Sequence, residues 1–173
     1  MRERRNDYDI TNRINTTDSQ DVAKEIVRIY QDIYQKDAPR NLSRAFADLG
    51  ALYRGEYPGF YECDTDYHDI QHVLDVTLSM ARLLDGCVRA TGTETITEKL
   101  FRLGIVTALY HDCGYIRHRK DTRHEKGAEY TAVHVSRGAH FLEEYLPKIG
   151  MKDLAQAAAR TVHFTGYEVP VDK

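Results

Sequence analysis

The fold is decided by the stretch Leu100-Phe101-Arg102-Leu103-Gly104-Ile105-Val106-Thr107-Ala108-Leu109-Tyr110-His111-Asp112. Its residues up to Tyr110 are mostly apolar, which predicts a buried helix, and it then ends on an imidazole beside a carboxylate. Burying such groups without partners costs several kcal/mol, and a bound metal ion is a common partner. The stretch therefore predicts a core helix that delivers His111 and Asp112 to a metal site.

The segments on either side of this stretch have the same helical period, and none alternates as a strand does. A cap at 17–19 predicts a first helix that ends before Pro39, and further helices are predicted over 42–53, 68–89, 95–111, 125–145 and 153–163. We therefore expect an all-α fold, a single-domain bundle of about five to seven helices over 17–173. The polar residues 1–16 predict a flexible N-terminal arm.

The composition of the 173-residue chain excludes several classes of protein. A net charge of −3 argues against nucleic-acid binding, and no apolar run approaches the roughly 20 residues that span a bilayer. The three cysteines form no Cys-x-x-Cys pair, and the N-terminus has no signal-peptide pattern. These features predict a cytoplasmic protein with no membrane or nucleic-acid partner, and leave a homo-oligomer open.

The histidines are the second signal, because all eight lie between His68 and His163. His68 and His72 stand four residues apart, so a helix would place them on one face. A lone histidine of this kind is more often a satisfied core residue than a ligand, but a cluster that includes a carboxylate favours metal. His134 and His163 are also compatible with ordinary surface positions.

The segment Tyr67-His68-Asp69-Ile70-Gln71-His72-Val73-Leu74-Asp75-Val76, followed by His111-Asp112-Cys113-Gly114, resembles the HD-domain superfamily of metal-dependent phosphohydrolases. Its first block is similar to the Tyr-His-Asn-x-x-His-x-x-Asp-Val signature of cyclic-nucleotide phosphodiesterases. The resemblance implies an HD/PDEase-type bundle with His68 as general acid. It also implies that His72, His111 and Asp112 are metal ligands, with Asp112 taking part in catalysis.

A second block, His134-Val135-Ser136-Arg137-Gly138-Ala139-His140-Phe141-Leu142, resembles the His-x-x-x-Gly-Ala-x-x-Leu element of the HD-GYP branch. The resemblance, which extends over about 67–167, implies that His134 and His163 complete a site for one or two divalent ions. Mn, Mg, Fe, Zn and Ni all remain candidates. Proteins of the HD-domain superfamily add an aspartate from a later helix, and Asp172 is a poor substitute, so the resemblance leads us to expect that the chain is a C-terminally truncated form.

The predicted function is hydrolysis of a phosphomonoester or phosphodiester by metal-activated water, a nucleotide being one candidate substrate. Arg117, Arg119 and Lys120 could bind the phosphate, although a solvated loop explains them equally well. Two alternatives stay open: a di-iron HD-type oxygenase, and a degenerate HD module with a signalling or scaffold role. The sequence leaves the substrate and the metal unidentified.

Overall fold

The fold consists of α-helices joined by turns and two longer loops, and the structure, a computed structural model, describes residues 6–166. The six α-helices within these residues are α1 (Ser19–Tyr34), α2 (Arg40–Tyr53), α3 (Ile70–Thr91), α4 (Glu98–Tyr110), α5 (His134–Lys148) and α6 (Lys152–Val162). Short 3-10 turns lie at Cys113–Tyr115, Gly127–Tyr130 and His163–Thr165. Residues 6–166 contain no strand, so the prediction of an all-α fold with five to seven helices is confirmed for this range.

Side-chain caps fix where three of the helices begin. Asp18 accepts a hydrogen bond from the backbone N–H of Gln20 at the start of α1, and Asp69 accepts one from His72 at the start of α3. Thr97 caps α4 in the same way. Each cap satisfies a backbone donor that the helix itself cannot pair.

The helix α4 lies at the centre of the core. Phe101, Ile105, Val106 and Leu109 are fully buried, and the helix contacts α2, α3 and α6. Burying one large apolar side chain contributes about 2 kcal/mol, so this packing holds α4 firmly. Because α4 ends at Tyr110, the residues that follow it emerge inside the protein rather than at its surface.

Two predicted helix boundaries are wrong. The structure begins α3 at Ile70, because the side chain of Asp69 caps the helix and leaves His68 outside it. The single helix predicted over 125–145 is instead a 3-10 turn at Gly127–Tyr130 followed by α5. In addition, Pro147 lies inside the last turn of α5 and does not end it.

The described part of the predicted N-terminal arm, residues 6–16, forms a loop around a buried carboxylate, while residues 1–5 lie outside the described residues. Asp9 is 2% exposed. Its oxygens accept hydrogen bonds from the backbone N–H groups of Arg13 and Ile14, both at 2.9 Å, and from Thr11 and Arg82 at 2.7 and 2.6 Å. Arg82 belongs to α3, so the loop is joined to the helical body.

We expect Asp9→Asn to lower the free energy of unfolding by about 3 kcal/mol at pH 7, because the amide cannot accept all of these hydrogen bonds. Burial by itself would raise the pKa of Asp9, but the bonds from Ile14, Thr11, Arg82 and Arg13 hold it well below its ordinary value. This contribution is complete above the unfolded pKa of about 3.9 and is lost as the pH falls toward the lower folded pKa.

Urea unfolding at pH 7 and pH 3 measures this effect, with the exposed Asp66→Asn as control. The difference in the free energy of unfolding between the wild type and Asp9→Asn should be smaller at pH 3 than at pH 7. Equal stabilities at pH 7 would contradict the prediction.

No helix within residues 6–166 is both long enough and apolar enough to cross a bilayer.

Candidate metal centre

The centre of the site is a carboxylate that α4 carries into the interior. His111 caps the C-terminus of α4 in a right-handed helical conformation, and Asp112 then leaves the helix and leads into the turn Cys113–Tyr115. Asp112 is 3% exposed and His111 is 8% exposed. An ionised carboxylate at such a depth needs partners that offer positive charge or hydrogen bonds.

Four imidazoles from three separate parts of the chain approach the carboxylate of Asp112. The distances to Oδ2 are 2.8 Å from His68 Nδ1, 3.3 Å from His72 Nε2 and 3.1 Å from His111 Nε2, and His134 Nε2 lies 3.9 Å from Oδ1. The ligand atoms of His68, His72 and Asp112 all lie within 4.8 Å of one another, so this group could hold a metal ion.

Backbone carbonyls orient two of the four rings. His111 Nδ1 lies 2.7 Å from the carbonyl oxygen of Ala108, and His134 Nδ1 lies 2.8 Å from that of Thr131. A carbonyl oxygen only accepts, so Nδ1 must donate in both rings, and each neutral ring then carries its lone pair on Nε2. These are the nitrogens that approach Asp112. Orientation by a second hydrogen bond is typical of histidines that ligate metals.

The Nε2 lone pairs of these two rings and the carboxylate oxygens of Asp112 repel one another unless a cation, either a proton or a metal ion, lies between the nitrogens and the oxygens. In the protein without metal, a proton between His111 Nε2 and Asp112 Oδ2, which lie 3.1 Å apart, can fill this position. Burial lowers the pKa of His111, but the hydrogen bond to Asp112 and the charge of Asp112 outweigh burial and raise it above its ordinary value. Conversely, burial opposes ionisation of Asp112, yet hydrogen bonds and charges from His111 and His68 lower its pKa to about 2.

His72 differs from His111 in its protonation. Its pKa is lowered, chiefly by burial, so the neutral ring is favoured near neutral pH. The backbone N–H of His72 donates to the cap residue Asp69 at 2.8 Å, which fixes the start of α3 beside the site. A neutral imidazole held in this way is ready to donate its lone pair to a metal ion.

A cavity of about 640 Å³ opens onto this cluster. Besides the four histidines and Asp112, its walls are formed by Tyr67, Tyr115, Thr131, Ala132, Thr165 and Gly166. The ring of Tyr115 stacks on both His68 and His134, with centroid distances of 4.4 and 4.2 Å. None of the described residues that line the cavity is a lysine or an arginine.

The structure brings together five of the six predicted metal-site and catalytic residues: His68, His72, His111, Asp112 and His134. His163 begins the 3-10 turn that follows α6, and it neither lines the cavity nor pairs with Asp112 among residues 6–166, although Thr165 and Gly166 do line it. Asp172, weighed as a later ligand, lies outside the described residues.

The three cations predicted to bind phosphate do not line the cavity either. Arg117 lies 3.5 Å from Asp64 Oδ2, and Arg119 donates to the carbonyl of Gly55 at 3.3 Å. Both guanidiniums lie over the ring of Tyr61. Backbone hydrogen bonds tie their loop to residues 59–61, and Lys120 is exposed on that loop.

Tyr115 is the site residue that sequence reasoning missed. It follows the His111-Asp112 pair closely, but the sequence gives no sign that the chain turns immediately after Asp112 and brings this ring between two histidines. The orienting carbonyls were easier to foresee. Ala108 and Thr131 each precede their histidine by three residues, a spacing that a helical turn brings within hydrogen-bond reach.

Comparison with protein-family models, with curated proteins and with solved structures finds no match to this chain.

Proposed function

We propose that this protein is a metal-dependent phosphohydrolase of the HD-domain type, in which His72, His111, Asp112 and His134 hold a divalent ion. The observation that carries the proposal is that His111 Nε2 and His134 Nε2 both face the buried carboxylate of Asp112. In each ring the other nitrogen, Nδ1, donates a hydrogen bond to a backbone carbonyl. This donor set of imidazoles and one carboxylate fits a divalent transition metal. Such an ion supplies a bound water of lowered pKa and polarises a phosphoryl oxygen.

His68 is the residue we assign to proton transfer. Its Nδ1 lies 2.8 Å from Asp112 Oδ2, and its Nε2 takes part in no hydrogen bond among residues 6–166. The carboxylate fixes the orientation of the ring, as an aspartate does for a catalytic histidine. With 33% of its side chain exposed at the cavity, His68 can donate a proton to the leaving oxygen of a substrate.

The walls of the cavity favour a substrate of low charge. The described residues around it include two tyrosines and no lysine or arginine. A phosphodiester carries one negative charge and a phosphomonoester nearly two, so the diester needs less compensation from the walls. We therefore favour a phosphodiester, with Tyr67 and Tyr115 contacting its organic groups.

His68→Gln is expected to keep the metal and to lower kcat by about a hundredfold or more, because glutamine cannot transfer the proton. His111→Gln is expected to lose both the metal and the activity. Metal content by elemental analysis, together with hydrolysis of a phosphodiester whose leaving group is an unactivated alcohol, such as a 3′,5′-cyclic mononucleotide, in the presence of Mn²⁺, measures both effects. The exposed His140→Gln, on the outer side of α5, is the matched control.

The outcomes separate the parts of this proposal. Loss of metal in His68→Gln would make His68 a ligand and overturn its role as acid. If the wild type contains stoichiometric metal but hydrolyses no phosphate ester, the proposal that the protein is a phosphohydrolase would be overturned. Iron with oxygen-dependent turnover would then support the oxygenase.

A further inference from the structure

A second cavity, of about 390 Å³, lies between α5 and the loop that follows α2. Cys113 and Gly114, the two residues that follow Asp112, form part of its lining, but none of the four clustered histidines does. Its volume is within the range of about 300–1,000 Å³ that is usual for small-molecule sites. The cavity is therefore a candidate site in its own right.

Aromatic rings form the walls of this cavity. Tyr57, Phe60 and Phe141 are half-buried and meet mostly edge to face, with centroid separations of 5.8 to 6.2 Å. Phe141 also stacks on the buried Tyr145 at 5.3 Å. Because rings in contact prefer offset or edge-to-face geometry, a planar aromatic ligand can extend this cluster with favourable contacts.

Among the residues that line the cavity, two carry a positive charge, Arg137 and Lys148, and one carries a negative charge, Glu144. Arg137 donates to the backbone carbonyls of Gly114 and Ile116, and Lys148 is exposed and forms no ion pair with any residue in 6–166. The carboxylate that lines the cavity, Glu144, lies 3.3 Å from His140 Nε2. A ligand with a negative group near Lys148 would compensate this surplus of positive charge.

We propose that this cavity binds a planar aromatic molecule bearing one acidic group. The aromatic walls supply the contact area, and Lys148, with Arg137 deeper in the wall, supplies the complementary charge. The ligand lies against the turn that carries Asp112. The proposal does not depend on the phosphohydrolase activity or on bound metal.

Binding of 2-naphthoate to the full chain, followed by saturation-transfer NMR and calorimetry without added metal, tests the proposal. Glu144→Trp places a bulky side chain at the mouth and should abolish binding. Glu143→Trp is the matched control, because Glu143 is an exposed neighbour on α5 that does not line the cavity, and this variant should bind 2-naphthoate as the wild type does. Circular dichroism and melting temperatures verify that both variants fold.

The neutral analogue 2-naphthamide tests the charge. We expect it to bind about threefold more weakly than 2-naphthoate, and Lys148→Gln to remove that difference, since a partly exposed ion pair contributes up to about 1 kcal/mol. Absence of 2-naphthoate binding at about 10 mM, or undiminished binding to Glu144→Trp, would overturn the site. Equal affinities of the wild type for 2-naphthoate and 2-naphthamide would overturn the inference that the ligand bears an acidic group.

Discussion

Asp112→Asn is expected to abolish metal binding and to leave the protein folded. Asparagine keeps the shape of Asp112 but loses the charge that the four surrounding imidazoles share in the native site. In the protein without metal, the new amide nitrogen, placed where Oδ2 of Asp112 lies, can donate to the Nε2 lone pair of His111. The free energy of unfolding without metal should therefore change by less than about 2 kcal/mol.

Thermal unfolding in the presence of metal measures the loss directly and needs no substrate. A divalent ion at a hundred times its Kd stabilises a single-site protein by about 2.7 kcal/mol. In a chain of 173 residues this raises Tm by about 5–10 °C. We expect that increase for the wild type with Mn²⁺ or Zn²⁺, and no increase for Asp112→Asn.

Asp85→Asn is the control, because this carboxylate of α3 pairs with Arg89 at 2.9 Å and does not line the cavity. It should show the full rise in Tm. An unchanged rise in Asp112→Asn would mean that the metal binds elsewhere, and the proposed centre would be rejected. The absence of any rise in the wild type with either ion would also count against it.

The central helix of the all-α fold could be predicted because the second half of α4, residues 105–110, is apolar apart from Thr107 and must be buried. Once α4 is central, His111 and Asp112 at its end must also lie inside, whereas their meeting with His72 and His134 was expected from the resemblance to HD-domain proteins. His68 was predicted as a helical residue one turn before His72. It reaches Asp112 from outside α3, because the cap at Asp69 starts the helix later.

Long-range backbone pairing explains what the sequence did not reveal. The loop with Arg117 and Arg119 is held by hydrogen bonds from Tyr61 to Arg117 and from Arg119 to Gly59. These bonds join residues more than 50 positions apart, and no local pattern encodes them. The positive charge of this loop led us to predict a phosphate site. In the structure, the guanidinium groups of Arg117 and Arg119 instead stack on the ring of Tyr61.

Gly114→Ala is expected to destabilise the protein by at least about 4 kcal/mol. A Cβ at this position would lie 1.8 Å from the carbonyl oxygen of His134 and 2.8 Å from the backbone nitrogen of Gly138. Both atoms are backbone of α5, so no side-chain rotation can relieve the contact. The helix must move away from the turn that carries Asp112, and His134 must move with it. A Cβ on Gly138, the glycine of α5 at the same contact, would meet its nearest neighbour at an ordinary 3.5 Å.

Gly86→Ala is expected to have the opposite effect in the same experiment, a gain in stability. Gly86 lies within α3, and a Cβ there would meet no atom within 4 Å. Alanine has the higher helix propensity, so this variant should gain about 0.5–1 kcal/mol. Urea unfolding of both variants beside the wild type measures the two effects. A stability of Gly114→Ala within about 1 kcal/mol of the wild type would show that α5 does not pack on the turn after Asp112. The position of His134 beside Asp112, which depends on this packing, would then be wrong.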